Sequence, residues 1–272
     1  MDGVLGSIDV TDRNRIVRAL DRDGYVVFDA RLPGDELSAI IAGVDDLPAY
    51  AALNVGPRET SVLFDPLDLR ASRYDYDEPD LLGVRAIQRL LVDPTLGGIA
   101  DSYLRRHAVF DNVGMWRSFA FGEFASSAAA QLFHSDRDHL RFVKFFVYLT
   151  DVTPRTGPHV FVRGSHRQRP AALRRDVRFE DDEVLAEYPA EDVIELCGPA
   201  GTIMAVDTSG LHKGKLPDEG TRLILQFEFA TSRYGTGFPS LRVQPGSPEV
   251  ERCITGNRHR FDRLDVTSTS GA

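Results

Sequence analysis

The sequence predicts an all-β core with flanking helices. Three runs of apolar, aromatic and β-branched residues, 141–150, 201–208 and 221–230, have the composition of buried strands, and helical spacing recurs in the first 104 residues. A chain of 272 residues is long for the commonest domain size, but β-sandwiches and barrels reach this length as one unit. We therefore expect one domain over 1–272, with a helical and strand scaffold at about 1–110, a core at about 111–232 and a C-terminal extension at 233–272.

The N-terminal scaffold is expected to open as helix, strand and helix. Residues 12–22 have the apolar spacing of a short amphipathic helix, Gly24 ends it, and 25–28 has the composition of a strand. A second helix is predicted over 33–46, because acidic residues fall in its first turn, where the helix dipole favours them. Helical spacing returns over 85–104. These elements predict a scaffold and carry no chemistry.

Two loops are predicted before the core is complete. Residues 54–80 are rich in Pro, Asp, Arg and Tyr, and a loop of that length in a compact domain is usually functional or disordered. Residues 112–124 are expected to begin the sheet, and 122–130 form a polar, small-residue loop that ends near the chemistry-bearing residues. Substrate specificity is expected to lie in loops such as 54–80 and 163–183.

An arginine-rich segment followed by acidic residues, 163–183, interrupts the series of strands. Runs of charge are usually solvated, so an excursion on the surface is one interpretation. The other is a lid between the two halves of the core, in which Arg163, His166 or Arg167 meets an anionic substrate.

The residue pattern with the most chemical meaning begins at His134 and Asp136. Side chains two positions apart on an extended segment point the same way, so this imidazole and carboxylate share a face. His212 follows the strand at 201–208 and can complete a facial triad of two histidines and one carboxylate, which is the arrangement of non-haem Fe(II) oxygenases. An isolated His-x-Asp is a common coincidence, so the interpretation depends on its surroundings.

Two basic residues stand near this pattern. Arg222 lies at the start of the strand 221–230. It shares one face of this strand with Ile224, Gln226 and Glu228, whereas the apolar positions between them form the other face. Arg222 is therefore placed to reach the cavity that contains the triad. A planar guanidinium suits a carboxylate through two parallel hydrogen bonds. Lys144 is the one charged residue inside the apolar strand after Arg141, and it either lies on an exposed face or pairs with a bound acid.

At these residues the chain resembles the phytanoyl-CoA dioxygenase family of Fe(II)- and 2-oxoglutarate-dependent oxygenases. The resemblance spans roughly 24–230 and is carried by Phe133-His-Ser-Asp136, Leu149-Thr-Asp-Val152, Gly157-Pro-His-Val-Phe-Val-Arg-Gly-Ser-His166 and Gly201-Thr-Ile-Met-Ala-Val-Asp207 leading to His212 and Arg222. A proline commonly precedes the Gly-Ser-His element of the family, whereas Arg163 stands there in this chain.

The resemblance implies a double-stranded β-helix, a jelly-roll of the cupin-like kind, and it assigns roles. His134, Asp136 and His212 would bind Fe(II), and Arg222 would hold the distal carboxylate of 2-oxoglutarate. Lys144 occupies a strand position from which a residue in family members often helps to bind that carboxylate. Dioxygen would be the third reactant. Because the carboxylate Asp136 is present, hydroxylation or another oxidation is favoured over halogenation.

The remaining candidates each have a structural alternative. Gln131 either bonds the co-substrate or fixes its loop, and Trp116 and Arg117 either face the pocket or belong to the core, where strand aromatics more often lie. Together with Arg163 they complete the predicted substrate and co-substrate contacts. We expect the substrate to be a small metabolite or natural-product intermediate, with desaturation, epoxidation or ring formation as alternatives to hydroxylation.

Composition restricts the partners. A net charge of −9 disfavours a general nucleic-acid or anionic-membrane binder, and two cysteines exclude a disulfide framework. The N-terminus lacks the pattern of a signal peptide, so a cytoplasmic protein is expected. Two alternatives of other classes stay open: a cupin-like isomerase or dioxygenase without 2-oxoglutarate, and a non-catalytic ligand-binding jelly-roll.

Overall fold

The computed structural model describes residues 3–6, 9–53, 62–122, 125–233 and 239–267. Its helices and strands follow in chain order: α1 (Val10–Asp23), β1 (Tyr25–Arg31), α2 (Gly34–Val44), β2 (Ala49–Ala51), β3 (Arg73–Tyr76), α3 (Glu78–Gly83), α4 (Arg85–Leu91), α5 (Pro94–Leu104), β4 (Val109–Phe119), β5 (Phe142–Tyr148), β6 (His159–Val162), α6 (Asp181–Leu185), β7 (Val193–Leu196), β8 (Thr202–Val206), β9 (His212–Gly214), β10 (Thr221–Ala230), β11 (Leu241–Val243), α7 (Pro248–Gly256) and β12 (Leu264–Val266). Short 3₁₀ turns lie at Ala171–Leu173 and Ala190–Asp192.

Two antiparallel sheets form the core. The larger has seven strands in the order β1-β8-β5-β10-β4-β3-β2, and the smaller has three in the order β7-β6-β9. A short parallel pair, β11 and β12, lies outside both. The predicted all-β core with flanking helices is therefore confirmed, and its two sheets have the layout of a jelly-roll.

Strand β10 shows how alternation separates core from cavity. Leu223, Leu225, Phe227 and Phe229 are at most 1% exposed and pack with the helices in the main apolar cluster. The intervening residues Arg222, Ile224, Gln226 and Glu228 line a cavity instead. Since strand side chains alternate, one strand supplies both the packing against the helices and one wall of the site.

The N-terminal helices follow the predicted order. α1 begins where the Asp9 carboxylate accepts a hydrogen bond from the N–H of Asp12, and it ends at Gly24, whose φ of 85° is in the left-handed region. A Cβ on Gly24 would come within 2.6 Å of the Phe161 ring, so the close approach of α1 to the smaller sheet requires glycine there. The predicted helix over 85–104 is two helices, because Asp93 and Pro94 start a new one.

The prediction of a long loop over 54–80 is partly wrong. Residues 54–61 lie outside the described residues, but Arg73–Tyr76 forms β3 and α3 begins at Glu78. β3 lies between β4 and the edge strand β2, and Tyr74 is fully buried there. Tyr74 and Tyr76 alternate with charged residues and face the core. Because those charged residues made the segment resemble a loop, its short alternating pattern was missed. The end of the loop predicted at 122–130 is described, and it consists of turns.

None of the helices among the described residues has the length and apolar character needed to cross a membrane. Cys197 carries a free thiol.

Candidate active site

The three residues of the predicted triad lie together between the two sheets. One ligand atom from each of His134, Asp136 and His212 lies within 4.8 Å of the others. Nε2 of His134 is 3.7 Å from Oδ1 of Asp136, and Nε2 of His212 is 3.6 Å from Oδ2 of the same carboxylate. The three atoms converge at the spacing expected of side chains that share one metal ion.

Backbone hydrogen bonds hold the two histidines opposite each other. The N–H of His134 donates to the carbonyl of His212, and the N–H of His212 donates to the carbonyl of His134, both at 2.9 Å. The N–H of Asp136 donates to the carbonyl of Thr208 at 2.8 Å. The spacing of the triad is thus fixed by peptide groups, although its members are far apart in sequence.

Each imidazole is also fixed in orientation. Nδ1 of His134 lies 2.9 Å from the carbonyl of Leu132, and Nδ1 of His212 lies 3.0 Å from the carbonyl of Gly210. A carbonyl only accepts, so each Nδ1 carries the proton and each Nε2 presents a lone pair toward Asp136. This tautomer is the one that a metal ion needs.

The protonation states fit a metal ion as well. Burial lowers the pKa of both His134 and His212, so both rings are neutral near neutral pH. Burial alone would raise the pKa of Asp136, but Lys144 and the imidazoles outweigh it and hold that pKa below its usual range. Two neutral imidazoles and one carboxylate suit Fe(II) with open coordination positions.

Lys144 lies on the carboxylate side of the triad. Its Nζ is 2.7 Å from Oδ2 of Asp136, 2.9 Å from Oδ2 of Asp138 and 3.3 Å from Oε2 of Glu228. Lys144 is opposite Glu228 in the pairing of β5 with β10, and Arg222 is six positions earlier on β10, about 20 Å of extended chain. The structure does not bring Lys144 to Arg222, so the expectation that it assists in binding the distal carboxylate is not favoured by its position.

Arg222 occupies the other end of this wall. It is 4% exposed, and its guanidinium donates to the carbonyl of Gly157 and, at 3.1 Å, to Oγ of Ser118. Within the described ranges no carboxylate pairs with it, and burial lowers its pKa to about 10. A buried cation with neutral partners is costly unless a ligand supplies an anion. Arg222 is thus suited to a bound carboxylate.

One cavity of about 420 Å³ contains the triad and Arg222. Its walls are formed by β10 and by β3, β4 and β5 of the larger sheet, and by His159, His212 and Gly214 of the smaller sheet. Trp116 on β4 lines it, as one of the two sequence interpretations predicts, and Arg73 lies over the indole ring at 4.3 Å. The volume is that of a site for small molecules.

Three predicted contacts lie outside this cavity. The Gln131 amide accepts from the N–H of Ser126 at 2.7 Å and donates to Oγ of Ser72 at 2.9 Å, so it fixes its loop, the structural alternative. Nε of Arg117 donates to the hydroxyl of Tyr76 at 2.6 Å, on the face of β4 opposite Trp116. Arg163 is 3.7 Å from Asp192 and is not among the residues that line the cavity.

Two residues that the sequence did not single out as contacts do line it. His159 is 5% exposed, and its ring stacks on His212 with centroids 5.4 Å apart and an interplanar angle of 16°. Burial is the largest cause that lowers its pKa well below the usual value, so it is neutral. Arg178 lines the mouth of the cavity from the segment predicted as a lid. In the sequence, only the Gly-Pro-His element could have indicated His159 as a cavity residue, and no motif indicated Arg178.

A third missed residue connects the lid segment to the triad. The Arg169 guanidinium donates to Oγ of Ser135 at 3.0 Å and to the carbonyl of Ser209. Ser135 stands between two members of the triad, and Ser209 precedes the third. Arg169 therefore ties together the two chain segments that carry the triad.

A second buried group of possible ligands consists of Asp111, His139 and Glu228. Nε2 of His139 lies 3.2 Å from Oδ1 of Asp111, and hydrogen bonding to this carboxylate raises the pKa of His139. Glu228 belongs at the same time to the Lys144 network. Asp111 occupies a bulge, because Glu228 and Phe229 pair with residues 112 and 110 of β4. An ion pair between His139 and Asp111 accounts for this group without a metal ion.

Comparison with known families identifies the same family. A sequence model of the phytanoyl-CoA dioxygenase family, PhyH, matches residues 20–215 of the chain. No curated protein sequence gives a significant match. The match covers the triad and ends before Arg222, and it confirms the resemblance drawn from the residues.

Solved structures share the fold at low sequence identity. AviO1 from Streptomyces viridochromogenes Tue57 is 17% identical, with 82% of this chain and 96% of its own covered and a TM-score of 0.58. EctD from S. alaskensis with bound Fe is 19% identical, with 90% and 92% covered and a TM-score of 0.57. The non-haem alpha-ketoglutarate-dependent carbocyclase SnoK from nogalamycin biosynthesis is 15% identical, with 79% and 83% covered and a TM-score of 0.57. These similarities concern the fold, and they confirm the jelly-roll.

Proposed function

The chain belongs to the phytanoyl-CoA dioxygenase family, and from this premise we propose that it is an Fe(II)- and 2-oxoglutarate-dependent dioxygenase that hydroxylates an unactivated C–H bond of a small metabolite or natural-product intermediate. Succinate and CO₂ are the accompanying products. The observation that carries the proposal is that one cavity holds a His-Asp-His triad and a buried guanidinium without a carboxylate partner among the described residues.

The roles of the residues follow from their positions. His134, Asp136 and His212 would hold Fe(II), while the Nδ1–H groups of the two histidines donate to the backbone carbonyls of Leu132 and Gly210 and so fix the two rings. Arg222 binds the far carboxylate of 2-oxoglutarate, to which Ser118 is a neighbouring hydroxyl. Bound Fe(II), together with 2-oxoglutarate and dioxygen, supplies the oxidising power for the C–H bond. Lys144 holds Oδ2 of Asp136 and keeps this carboxylate ionised.

The solved structures of similar fold support an iron- and 2-oxoglutarate-dependent reaction, but they catalyse different kinds of reaction. The neighbours include a carbocyclase, an epimerase crystallised with Fe³⁺ and alpha-ketoglutarate, and EctD crystallised with 2-oxoglutarate and 5-hydroxyectoine. Hydroxylation is proposed because the carboxylate of Asp136 completes the triad, which favours hydroxylation or another oxidation over halogenation. Desaturation, epoxidation or ring formation would use the same residues.

We also propose that residues 1–272 act as one catalytic domain. The main apolar cluster supports this, since it joins Ile16 of α1, Phe227 of β10 and Leu264 of β12 in a single packed core.

The first experiment is an anaerobic titration of metal-free protein with Fe(II) and then with 2-oxoglutarate, followed through the weak visible charge-transfer band of the chelate. The band should require both additions, disappear in Asp136→Ala and weaken strongly in Arg222→Ala, while Arg222→Lys retains part of it. Arg163→Ala serves as the matched control, because Arg163 lies outside the cavity, and it should leave the band unchanged.

Two outcomes would contradict the proposal. Fe(II) binding without a band on adding 2-oxoglutarate would favour a cupin-like metalloenzyme of another kind. Failure to bind Fe(II) at all would favour a non-catalytic ligand-binding jelly-roll. Thermal unfolding of each variant separates these outcomes from a simple loss of fold.

A further inference from the structure

Among the described residues, four cationic side chains line the cavity. Two of them have a carboxylate partner and two do not. Arg73 lies 2.5 Å from Asp75, and Lys144 lies 2.7 Å from Asp136, so both have carboxylate partners. Arg178 and Arg222 have no carboxylate partner in the part of the chain that the structure describes. Arg222 is the residue proposed to bind the co-substrate. Arg178 is left as a second cation without an anion.

The backbone places Arg178 beside the triad. Phe179 pairs with Phe133 through two hydrogen bonds, from the N–H of Phe133 at 3.0 Å and from the N–H of Phe179 at 2.8 Å. In an antiparallel bridge the next residue of one segment faces the preceding residue of the other, so Arg178 stands opposite His134. Phe133 and Phe179 point into an apolar cluster on the outer face. Arg178 and His134 therefore share the face toward the cavity.

Among the described residues no carboxylate forms an ion pair with Arg178, whose side chain stays partly open to solvent. Partial burial lowers its pKa, Arg73 acts in the same direction, and Asp136 opposes them. Asp136 already contacts Lys144 at 2.7 Å and belongs to the triad, so its charge is engaged elsewhere. A guanidinium keeps its proton near neutral pH and offers a fork of donors to a planar anion.

We infer that Arg178 binds a carboxylate of the primary substrate, so that the enzyme acts on small carboxylic acids. The inference rests on the proposed function and specifies its substrate class. A singly charged group fits better than a phosphate dianion, because Asp75 and Asp138 line the same cavity and, of the cavity cations in the described ranges, Arg178 alone has neither a carboxylate partner nor the co-substrate. Phe146, Ile224 and Trp116 provide apolar wall for the rest of the molecule. Arg178 would thus hold the carboxylate of the substrate in the same cavity as the triad.

A carboxylate near Arg178 has two sources, the primary substrate and 2-oxoglutarate itself, and the experiment separates them. Trp116 is the only tryptophan in the chain and lines the cavity, so its fluorescence reports binding there. The anaerobic protein with Fe(II) and 2-oxoglutarate is titrated with hexanoate, phenylacetate and N-acetylleucine, and with the primary amide of each. The 2-oxoglutarate affinity of every variant is measured beforehand from the chelate band.

The acids should bind and the amides should bind at least tenfold more weakly. Arg178→Gln should weaken acid binding about tenfold or more, which corresponds to about 1.4 kcal/mol, and should abolish the preference for acids over amides. Arg178→Lys should retain part of the preference, since it keeps the charge but loses the fork. Arg175→Gln is the matched control, because Arg175 is exposed in the same segment and pairs with Glu183 at 3.1 Å. It should change nothing.

Three results would overturn the inference: equal binding of acids and amides, unchanged acid affinity in Arg178→Gln, or the absence of acid binding across the panel. A weaker 2-oxoglutarate affinity in Arg178→Gln, with acid binding intact, would also overturn it and would assign Arg178 to the co-substrate. Failure of the proposed function is recognised separately, because the wild-type chelate band would be missing. The same titrations on the metal-free protein would then still test acid binding at Arg178.

Discussion

The ammonium of Lys144 lies 2.7 Å from Oδ2 of Asp136, the carboxylate of the triad. The same ammonium contacts Glu228, which is fully buried on the neighbouring strand. A cation that is shared between a metal-ligand carboxylate and a buried glutamate links the chemistry of the site to the stability of the sheet.

This link predicts strong coupling between Lys144 and Glu228. Lys144→Met should reduce the free energy of unfolding of the metal-free protein by about 3–5 kcal/mol, because it leaves buried carboxylates without their cation. Lys144→Met combined with Glu228→Gln should recover a substantial part of that loss. Urea unfolding of the two single variants and the double variant gives the coupling energy. Additive effects would show that the contact contributes nothing specific.

Glu228 should make stability depend on pH. Burial raises the pKa of Glu228 to about 7, although the charge of Lys144 opposes it, so the folded state favours the protonated carboxyl. Its contribution is complete below the ordinary pKa of about 4.5 and is lost as the pH rises through 7, by about 3 kcal/mol in all.

The measurement is the difference in unfolding free energy between Glu228→Gln and the wild type from pH 4.5 to 7.5, both without metal. The variant should lack this fall in stability, whereas Glu187→Gln, at an exposed glutamate, should reproduce the wild-type curve. Parallel curves for Glu228→Gln and the wild type would mean that Glu228 stays ionised throughout.

The hydrogen bond from Gln131 to Ser72 predicts a structural rather than a co-substrate role. Gln131→Ala should reduce the free energy of unfolding by about 1–3 kcal/mol, since it leaves buried polar partners unsatisfied, and should leave 2-oxoglutarate affinity within twofold of the wild type. Ser72→Ala removes the same hydrogen bond from the other side and should act in the same direction. A large loss of 2-oxoglutarate affinity in a stable Gln131→Ala would restore the co-substrate interpretation.

His159→Phe should leave the metal-free protein as stable as the wild type or make it more stable by about 1 kcal/mol. Nε2 of His159 is buried without a hydrogen-bond partner among the described residues, whereas its ring stacks against Phe146 and His212. Phenylalanine keeps the stacking and removes the unsatisfied atom. Thermal unfolding checks this, and a loss of more than 2 kcal/mol would reveal a polar contact made by the imidazole.

The sequence was sufficient to predict features that depend on the alternation of side chains along a strand and on the residue types of a motif. Alternation along 221–230 separated the core residues from the cavity residues Arg222 and Glu228, as the structure has them. The positions of His134, Asp136 and His212 were predicted together because strand direction and motif spacing both pointed to them. The binding of iron by these residues stays a prediction.

The contacts made across the fold were not predictable in this way. Lys144 was expected either to lie on an exposed face or to pair with a bound acid. Its partners Asp138 and Glu228 come from a loop and a neighbouring strand, and the sequence does not reveal the register in which that strand pairs. Arg178 is equally hidden, because its position depends on a single bridge between Phe179 and Phe133. A run of arginines has no local feature that distinguishes the one beside the triad from those in solvent.

The paired peptide groups of His134 and His212 have an evolutionary consequence. Peptide hydrogen bonds make no demand on side-chain identity, so substitutions at exposed positions such as Arg178 leave the separation of the two imidazoles unchanged. Mutations can thereby change which substrate is recognised while the geometry of the triad stays the same.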